Sequence, residues 1–507
     1  MMDVQTYKPI LQWFLYITVF VLGLVYWLVN RNFNYWANRG IEYVKPSFPL
    51  GNLGFIMRKS FWDFCNELKD KYRRDYVGVF LAWKPALFVQ TAELARKVLV
   101  KDHDSFQDRY LYSGHSDPLG SLNLFTVKNP IWTEMRHELS PMFTSLRLKK
   151  ITELMNINSE QLVQKVQRDY VDNKKCVNLK ELFSMYTSDT VAYSVFGIRV
   201  SVLNDQLSPL WAITSHMVKW TFWRGLEFTM IFFVPAVAAF FRMKFFSAPA
   251  SEYIKKIFWN VAEERKCKGT SNDKDLVNHL LKLKDNLKLP ANSDAGPFGS
   301  DNLMLAQAAV FILGSVETSS TTLSYCLHEL AYHPEEQEIL FNEIDEAYKR
   351  TGKSILEYDD LMEQKYLSGC LRETMRKYPP VAYLDRICNK RYMLNDDVVI
   401  EKGTPVFVNV LAIHYDEKNF PEPNKWKPER FTSASDSDNV QFTFMPFGEG
   451  PRFCIGKRYG MMQMRTALAQ LVHKYKLEPS VPYDVESDPY SVILAPADGG
   501  SVKFVPR

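Results

Sequence analysis

Residues 444–456 read FMPFGEGPRFCIG, a glycine-studded loop that carries one cysteine, Cys454, behind phenylalanines and an arginine. The run that follows, KRYGMMQMRTALAQLVHK, repeats its apolar residues at helical spacing, so a helix begins just past the sulfur. The positive end of such a helix favours a thiolate. Gly448 and Gly450 free the backbone for close approach to something flat or large, and Gly456 lets the next helix pack closely. A cysteine hydrolase needs a histidine base, and no protease signature surrounds Cys454.

Working outward, the chain has 507 residues, 46% hydrophobic and 24% charged, enough for a large buried core in one or two domains. An aromatic share of 14% points to a spacious apolar interior or a membrane-facing surface. A net charge of +4, without a basic stripe interleaved with aromatics, argues against nucleic acid as a partner. The seven cysteines (65, 176, 267, 326, 370, 388 and 454) are scattered, odd in number and never in a CxxC pair. That pattern is neither a disulfide framework nor a zinc site, and it places the body in a reducing compartment.

The stretch ILQWFLYITVFVLGLVYWLV, Ile10 to Val29, is nearly uncharged and long enough for one membrane span. It lacks the short apolar core and cleavage site of a signal peptide. Arg31, Arg39 and Lys45 follow it, so the positive-inside rule puts the body in the cytosol. We divide the chain into an anchor (1–30), a short stiff hinge or linker with Pro46, Pro49 and Gly51 (31–52), and a body (53–507). Most segments from about 60 to 260 read as helices, while VGVFLAWKPALFVQ reads as two strands around a Lys-Pro turn. Phe228 to Phe241, FTMIFFVPAVAAFF, is too short to span and is broken by Pro235; it reads as a surface dipping into the lipid interface. LPANSDAGPFGSDN, 289 to 302, is a polar break before a long helix from about Leu303 to Tyr332. Two more helices and a region of short strands (381–412) follow. The fold class is mainly α with a small β region.

A thiolate opposite a haem iron makes sense of the opening loop, because sulfur pushes electron density onto iron and favours O–O cleavage. Packed Phe447 and backbone amides would tune that sulfur, and Arg452 suits a haem propionate. No CxxCH is present, so the haem would be held without covalent attachment. Here the sequence resembles the cytochrome P-450 haem-thiolate monooxygenases of the microsomal type, with wording closest to the insect xenobiotic-metabolising branch. FGEGPRFCIG fits their FxxGxxxCxG loop at every fixed position. Glu373 and Arg376 in LRETMRKYPP fit the ExxR helix, and Arg430 in KWKPERF fits the third member of a Glu-Arg-Arg cluster.

The resemblance implies haem b (iron protoporphyrin IX) with Cys454 as axial ligand. It implies propionate binding by Trp132, Arg136, Arg386 and Arg452, with Arg109 as a further candidate. Glu317 and Thr318 in FILGSVETSS match the acid–alcohol pair that guides protons to the dioxygen site. Ser315 departs from the family pattern, which has glycine there, and adds bulk and a hydroxyl. With no flavin or nicotinamide domain on the chain, the implied electron donor is the membrane-bound NADPH–cytochrome reductase, with cytochrome b5 as a further candidate. The donor would dock near Lys457 and Arg458, with Arg147, Lys149 and Lys150 as additional cations. The implied site is a single-pass protein of the endoplasmic reticulum membrane facing the cytosol. Candidate pocket residues Leu119, Leu122, Leu124, Phe125, Phe311, Val316, Val381, Ala382, Tyr383, Leu384, Ile493 and Leu494 are apolar, so a small lipophilic substrate is expected. Two rivals remain: a dedicated biosynthetic enzyme that dehydrates or rearranges a substrate such as an aldoxime, and a haem protein that binds without turnover.

Overall fold

A computed structural model describes residues 4–57, 59–204, 208–268, 275–286, 299–396, 398–433 and 442–507. Its central beam is the long helix Gly299–Tyr332. Of its 34 residues 23 are buried, as expected of a helix that runs through the interior, and the less buried middle positions around 310–318 border a cavity. Residues Leu303 to Val316 join one hydrophobic cluster and Leu323 to Ala331 a second, so this helix stitches two cores together. The helix begins at Gly299 rather than Leu303, because Ser300 and Asp301 suit the electropositive first turn. Of the expected polar break, residues 289–298 lie outside the described residues.

Against the beam lies the helix Leu179–Phe196, which starts where Asn178 accepts the Glu181 amide at 2.9 Å and stops at Gly197 in the left-handed region. The helix Lys457–Lys474 packs in the second core, as does the helix Lys365–Lys377. Nine strands are formed among the described residues: β1 Tyr76–Leu81, β2 Lys84–Val89, β3 Val177–Asn178, β4 Tyr383–Ile387, β5 Tyr392–Asn395, β6 Val398–Ile400, β7 Pro405–Asn409, β8 Tyr475–Pro479 and β9 Ser501–Pro506. They make a four-stranded sheet (order β1-β2-β7-β4), a three-stranded sheet (β3-β9-β8) and the hairpin β5-β6. The chain is thus mainly helical with small sheets.

The strand pair predicted at 77–90 forms, but its turn is Ala82-Trp83 and not Lys84-Pro85. Leu81 already pairs with Lys84, and Ala82 takes a positive φ of 53° to close the reversal. Pro85 is tolerated inside β2 because the partner β7 joins only from Leu87 onward.

The run Phe228–Phe241 is a second correction. It folds as two helices, Phe222–Phe233 and Pro235–Phe240, and residues Phe228 to Val234 are buried in the first core. Aromatic side chains four apart face inward together, Phe228 with Phe232, while Phe233 stacks on Phe61 at 4.2 Å. Only the tip behaves as a surface patch, with Phe240 and Phe241 79% and 65% exposed.

The N-terminal helix Val4–Asn32 exposes its apolar side chains from Trp13 to Leu28 and has the length and composition to span a membrane. The segment after it, expected as a hinge, is bound to the body. Trp36 is fully buried and donates its indole N–H to the Val79 carbonyl at 3.0 Å. On the β1 edge, the Gly78 carbonyl accepts the Val44 amide and the Gly78 amide donates to the Glu42 carbonyl, both at 2.9 Å, and Asn52 accepts the Phe80 amide at 2.7 Å.

Candidate active site

The loop 444–456 holds its shape through three backbone bonds. Gly448 N–H donates to Met445, Phe453 N–H to Gly450 and Cys454 N–H to Phe447, at 3.0, 3.0 and 2.8 Å. Gly448 and Gly450 both take positive φ, 72° and 71°. They face different neighbours, which corrects the expectation that both free the backbone for a flat group. Gly448 borders a cavity, whereas a Cβ on Gly450 would stand 1.9 Å from the Leu99 carbonyl oxygen. Gly450 therefore lets the loop press on the 97–101 turn. Gly456 has no close packing neighbour either; a Cβ there would meet only the Cys454 sulfur, at 3.9 Å.

The Cys454 sulfur is accessible, but from the cavity and not from bulk water. Burial pushes its thiol pKa up, opposed by the Gly456 backbone and by Arg136. The helix start alone does not produce a thiolate; metal coordination does so outright.

The cavity, of about 320 Å³, lies between the cysteine loop, the long helix, β4 and the helix Phe222–Phe233. Leu124, Phe125, Phe311, Val381, Tyr383, Leu384 and Ile493 line it as expected from sequence. Leu119, Leu122, Val316, Ala382 and Leu494 do not; they are buried in the protein interior, away from the lining. Phe228, Phe232 and Phe245 were missed. The first two sit four apart on one helix, a signal that was available once that run is read as core.

One part of the site is strongly cationic. Arg452 is buried, lies over the Trp132 ring at 4.2 Å, and donates to Gln107 O (2.6 Å), Asp108 Oδ1 (2.8 Å) and Val127 O (3.2 Å). Arg109 pairs with Asp385 at 2.9 Å, and Lys128 donates to the carbonyls of Arg109 and Leu111. Arg136 lies over Phe453 at 4.5 Å. Arg386 donates to the Asp385 carbonyl at 2.8 Å and, unlike Trp132, Arg136, Arg109 and Arg452, is not part of the cavity wall. Four cations (Arg109, Lys128, Arg386, Arg452) thus face two carboxylates (Asp108, Asp385). Burial and mutual repulsion push Arg386 and Arg452 down to about 9 and Lys128, mainly by burial, to about 8. Arg386 Nε and Arg452 Nη1 are buried without a partner among the described residues. A buried excess of two positive charges with unused donors fits a dianionic group, and the two carboxylates of a haem are such a group.

The acid–alcohol pair is arranged differently from expectation. Thr318 faces the cavity and donates Oγ1–H back to the Gly314 carbonyl at 2.7 Å. Glu317 points instead to Lys180, whose Nζ is 3.1 Å from Oε1. The contact is ionic without an aligned hydrogen bond, and the unpartnered indole N–H of Trp220 lies beside the same carboxylate. Burial pushes Glu317 up and Lys180 down, each opposed by the other. Lys180 also donates to the Glu317 carbonyl and to the Ser320 and Thr321 hydroxyls at 3.0, 2.9 and 2.7 Å. Lys180 was missed; it is the one lysine of the helix Leu179–Phe196 and is buried there beside the exposed Glu181. Ser315 lines the cavity with its hydroxyl facing Tyr459 of the cysteine helix.

Behind the loop, Arg376 clasps Glu373 through Nε and Nη2, both at 2.8 Å, and Arg430 adds a third contact at 3.3 Å. Lys457 and Arg458 are exposed beside Cys454, while Lys149 is engaged by Asp359 at 2.6 Å.

The family model for cytochrome P-450 matches residues 44–504. Similar curated proteins include cytochrome P-450 6k1 of Blattella germanica, 32% identical over 96% of this chain and 95% of that protein. Probable cytochrome P-450 6g2 of Drosophila melanogaster is 32% identical over 96% and 97%, and cytochrome P-450 9c1 of the same fly is 31% identical over 96% and 97%.

Proposed function

The chain belongs to the cytochrome P-450 family of haem-thiolate monooxygenases, and from that premise we propose that it inserts one oxygen atom of dioxygen into a small lipophilic xenobiotic or plant defence compound. The observation that carries this reading is the Cys454 sulfur opening onto an aromatic cavity whose edge holds two uncompensated positive charges. Bound haem supplies dioxygen activation, with a thiolate pushing electron density onto its iron.

The chain's own residues then divide the work. Cys454 is the ligand, with its amide held by the Phe447 carbonyl. Trp132, Arg136, Arg109 and Arg452 receive the two carboxylates from the cavity wall, and Arg386 supports them from behind it. Phe125, Phe228, Phe232, Phe245 and Phe311 exclude water and hold a lipophilic molecule by area alone. Thr318 holds a proton at Oγ1 on the cavity face, and Glu317, one position earlier, offers a carboxylate that takes up and passes on a proton. For Glu317 to serve Thr318, its side chain has to leave Lys180 by a rotamer change.

We assign electron supply to an NADPH-dependent reductase, with cytochrome b5 as a second donor, meeting Lys457 and Arg458. The N-terminal helix supports a single-pass anchor in the endoplasmic reticulum membrane with the body on the cytosolic side.

The test supplies protein, reductase and NADPH with isotopically labelled dioxygen and a panel of lipophiles that includes oximes. A product carrying one labelled oxygen is expected. A product that has lost water and gained no label replaces monooxygenation by dehydration, and binding without NADPH consumption replaces both by a carrier role.

A further inference from the structure

His414 is fully buried and has no part in the roles assigned above. Its ring bridges two units that matter to the cofactor. Nδ1 lies 3.0 Å from the Arg376 carbonyl oxygen, and Nε2 lies 3.0 Å from the Met445 amide nitrogen. The chemistry of the two partners fixes the tautomer. An amide N–H can only donate, so Nε2 must accept; a carbonyl can only accept, so Nδ1 must carry the proton. A doubly protonated ring would set N–H against N–H. Burial and the neighbouring Arg376 charge agree with that, pushing the imidazole down to about 3.

Both ends of the bridge are themselves held. Arg376 is fixed by Glu373 and returns a bond from Nη1 to the His414 carbonyl at 3.0 Å. On the other side, Met445 opens the cysteine loop: its carbonyl takes the Gly448 amide, and Phe447 takes the Cys454 amide. The ring also stacks on Phe444 at 5.6 Å. A path of hydrogen bonds therefore runs from the Glu-Arg cluster through one imidazole to the first turn of the loop that presents the sulfur.

We propose that His414 is a positioning residue for the cysteine loop, a neutral Nδ1–H imidazole that ties Met445 to Arg376 and so fixes where the Cys454 sulfur stands. This rests on the reading of Cys454 as the haem ligand. Loss of the bridge strands a buried amide and a buried carbonyl, and the loop that carries the sulfur loses its only side-chain tether of this kind among the described residues.

Glutamine and methionine are close in shape, and only glutamine can donate and accept. The full-length, haem-loaded protein is compared as wild type, His414→Gln and His414→Met. The reduced carbonyl complex is read for thiolate against thiol ligation, and haem release is timed by capture with apomyoglobin. H414Q is expected to keep thiolate ligation; H414M is expected to shift toward thiol ligation and release haem about 10–100-fold faster. Equal behaviour of the two variants overturns the proposal. Hydrogen exchange on the wild type gives a reading that needs no variant: the Met445 amide is expected to exchange as slowly as core amides, and exchange at exposed-loop rates overturns the proposal. A wild type without a thiolate-type spectrum sinks the Cys454 reading itself, and the inference with it.

Discussion

At the scale of single residues, two glycines of one loop have opposite reasons to be glycine. Ala at Gly448 meets nothing closer than the Leu384 side chain at 3.6 Å, so it incurs only the left-handed backbone penalty, about 1–2 kcal/mol. Ala at Gly450 adds a clash with the Leu99 carbonyl, and Gly450→Ala is expected to cost about 3–4 kcal/mol in urea unfolding while Gly448→Ala stays near 1–2. Equal effects of the two would remove the packing argument. Lys180 is the second case. Removing one member of a buried ion pair leaves the other uncompensated, so Lys180→Met should destabilise the protein by about 3 kcal/mol at neutral pH. The double variant K180M/E317Q should recover most of that, and a double-mutant cycle in denaturant checks it. K180M should also lower the share of NADPH converted to product, since it alters the charge state of Glu317.

Elements show why some of this was legible in the sequence and some was not. The cysteine loop, the Glu373–Arg376 pair and the long helix are local patterns whose residue types dictate their geometry, whereas Arg430, 57 positions from Glu373, was legible only through the family resemblance. The 228–241 run was not legible, because an apolar helix reads the same whether it faces lipid or a core; only the i, i+4 phenylalanines favoured the interior. Lys180 was hidden for another reason: its partner lies 137 positions away, and no local pattern encodes that contact. Likewise the sequence does not say that Glu317 and Thr318, adjacent in the chain, turn about a third of a helical turn apart and serve different neighbours. A similar long-range tie joins the helix Leu179–Phe196 to the segment beyond it. Asp189 accepts the Val202 and Leu203 amides at 2.6 and 3.1 Å, and burial pushes its carboxyl up to about 7 from the usual 3.8. The folded state therefore holds the extra proton: this contribution is complete below about pH 4 and is lost as pH rises through about 7. The stability of wild type relative to Asp189→Asn should fall by roughly 2–4 kcal/mol between pH 4 and 8, measured as urea midpoints at each pH. A flat difference would mean the carboxyl titrates normally.

For the whole molecule, the boundary between anchor and body lies earlier than the prolines suggest. Deleting residues 2–27 removes exposed apolar side chains and should release the protein from membranes with little change in unfolding. Extending the deletion through residue 40 removes Trp36 from a slot shaped for it; a Cβ on Gly78 would already stand 2.6 Å from that ring. Large-to-small loss of such a residue costs about 3–5 kcal/mol, which denaturant unfolding of the two truncated chains would separate.

That clasp also sets a direction. Because Trp36, four residues past the apolar helix, and then Val44 and Asn52 fasten the chain to the β1 edge, the helix leaves the body at one angle. In a bilayer the two tilt as one piece, like a keel and its hull. A thinner or thicker membrane changes the tilt of a spanning helix. It would therefore roll the body, and with it the exposed Phe240–Phe241 tip. For a body anchored in this way, bilayer thickness would become a setting for how the cavity is presented to the membrane surface.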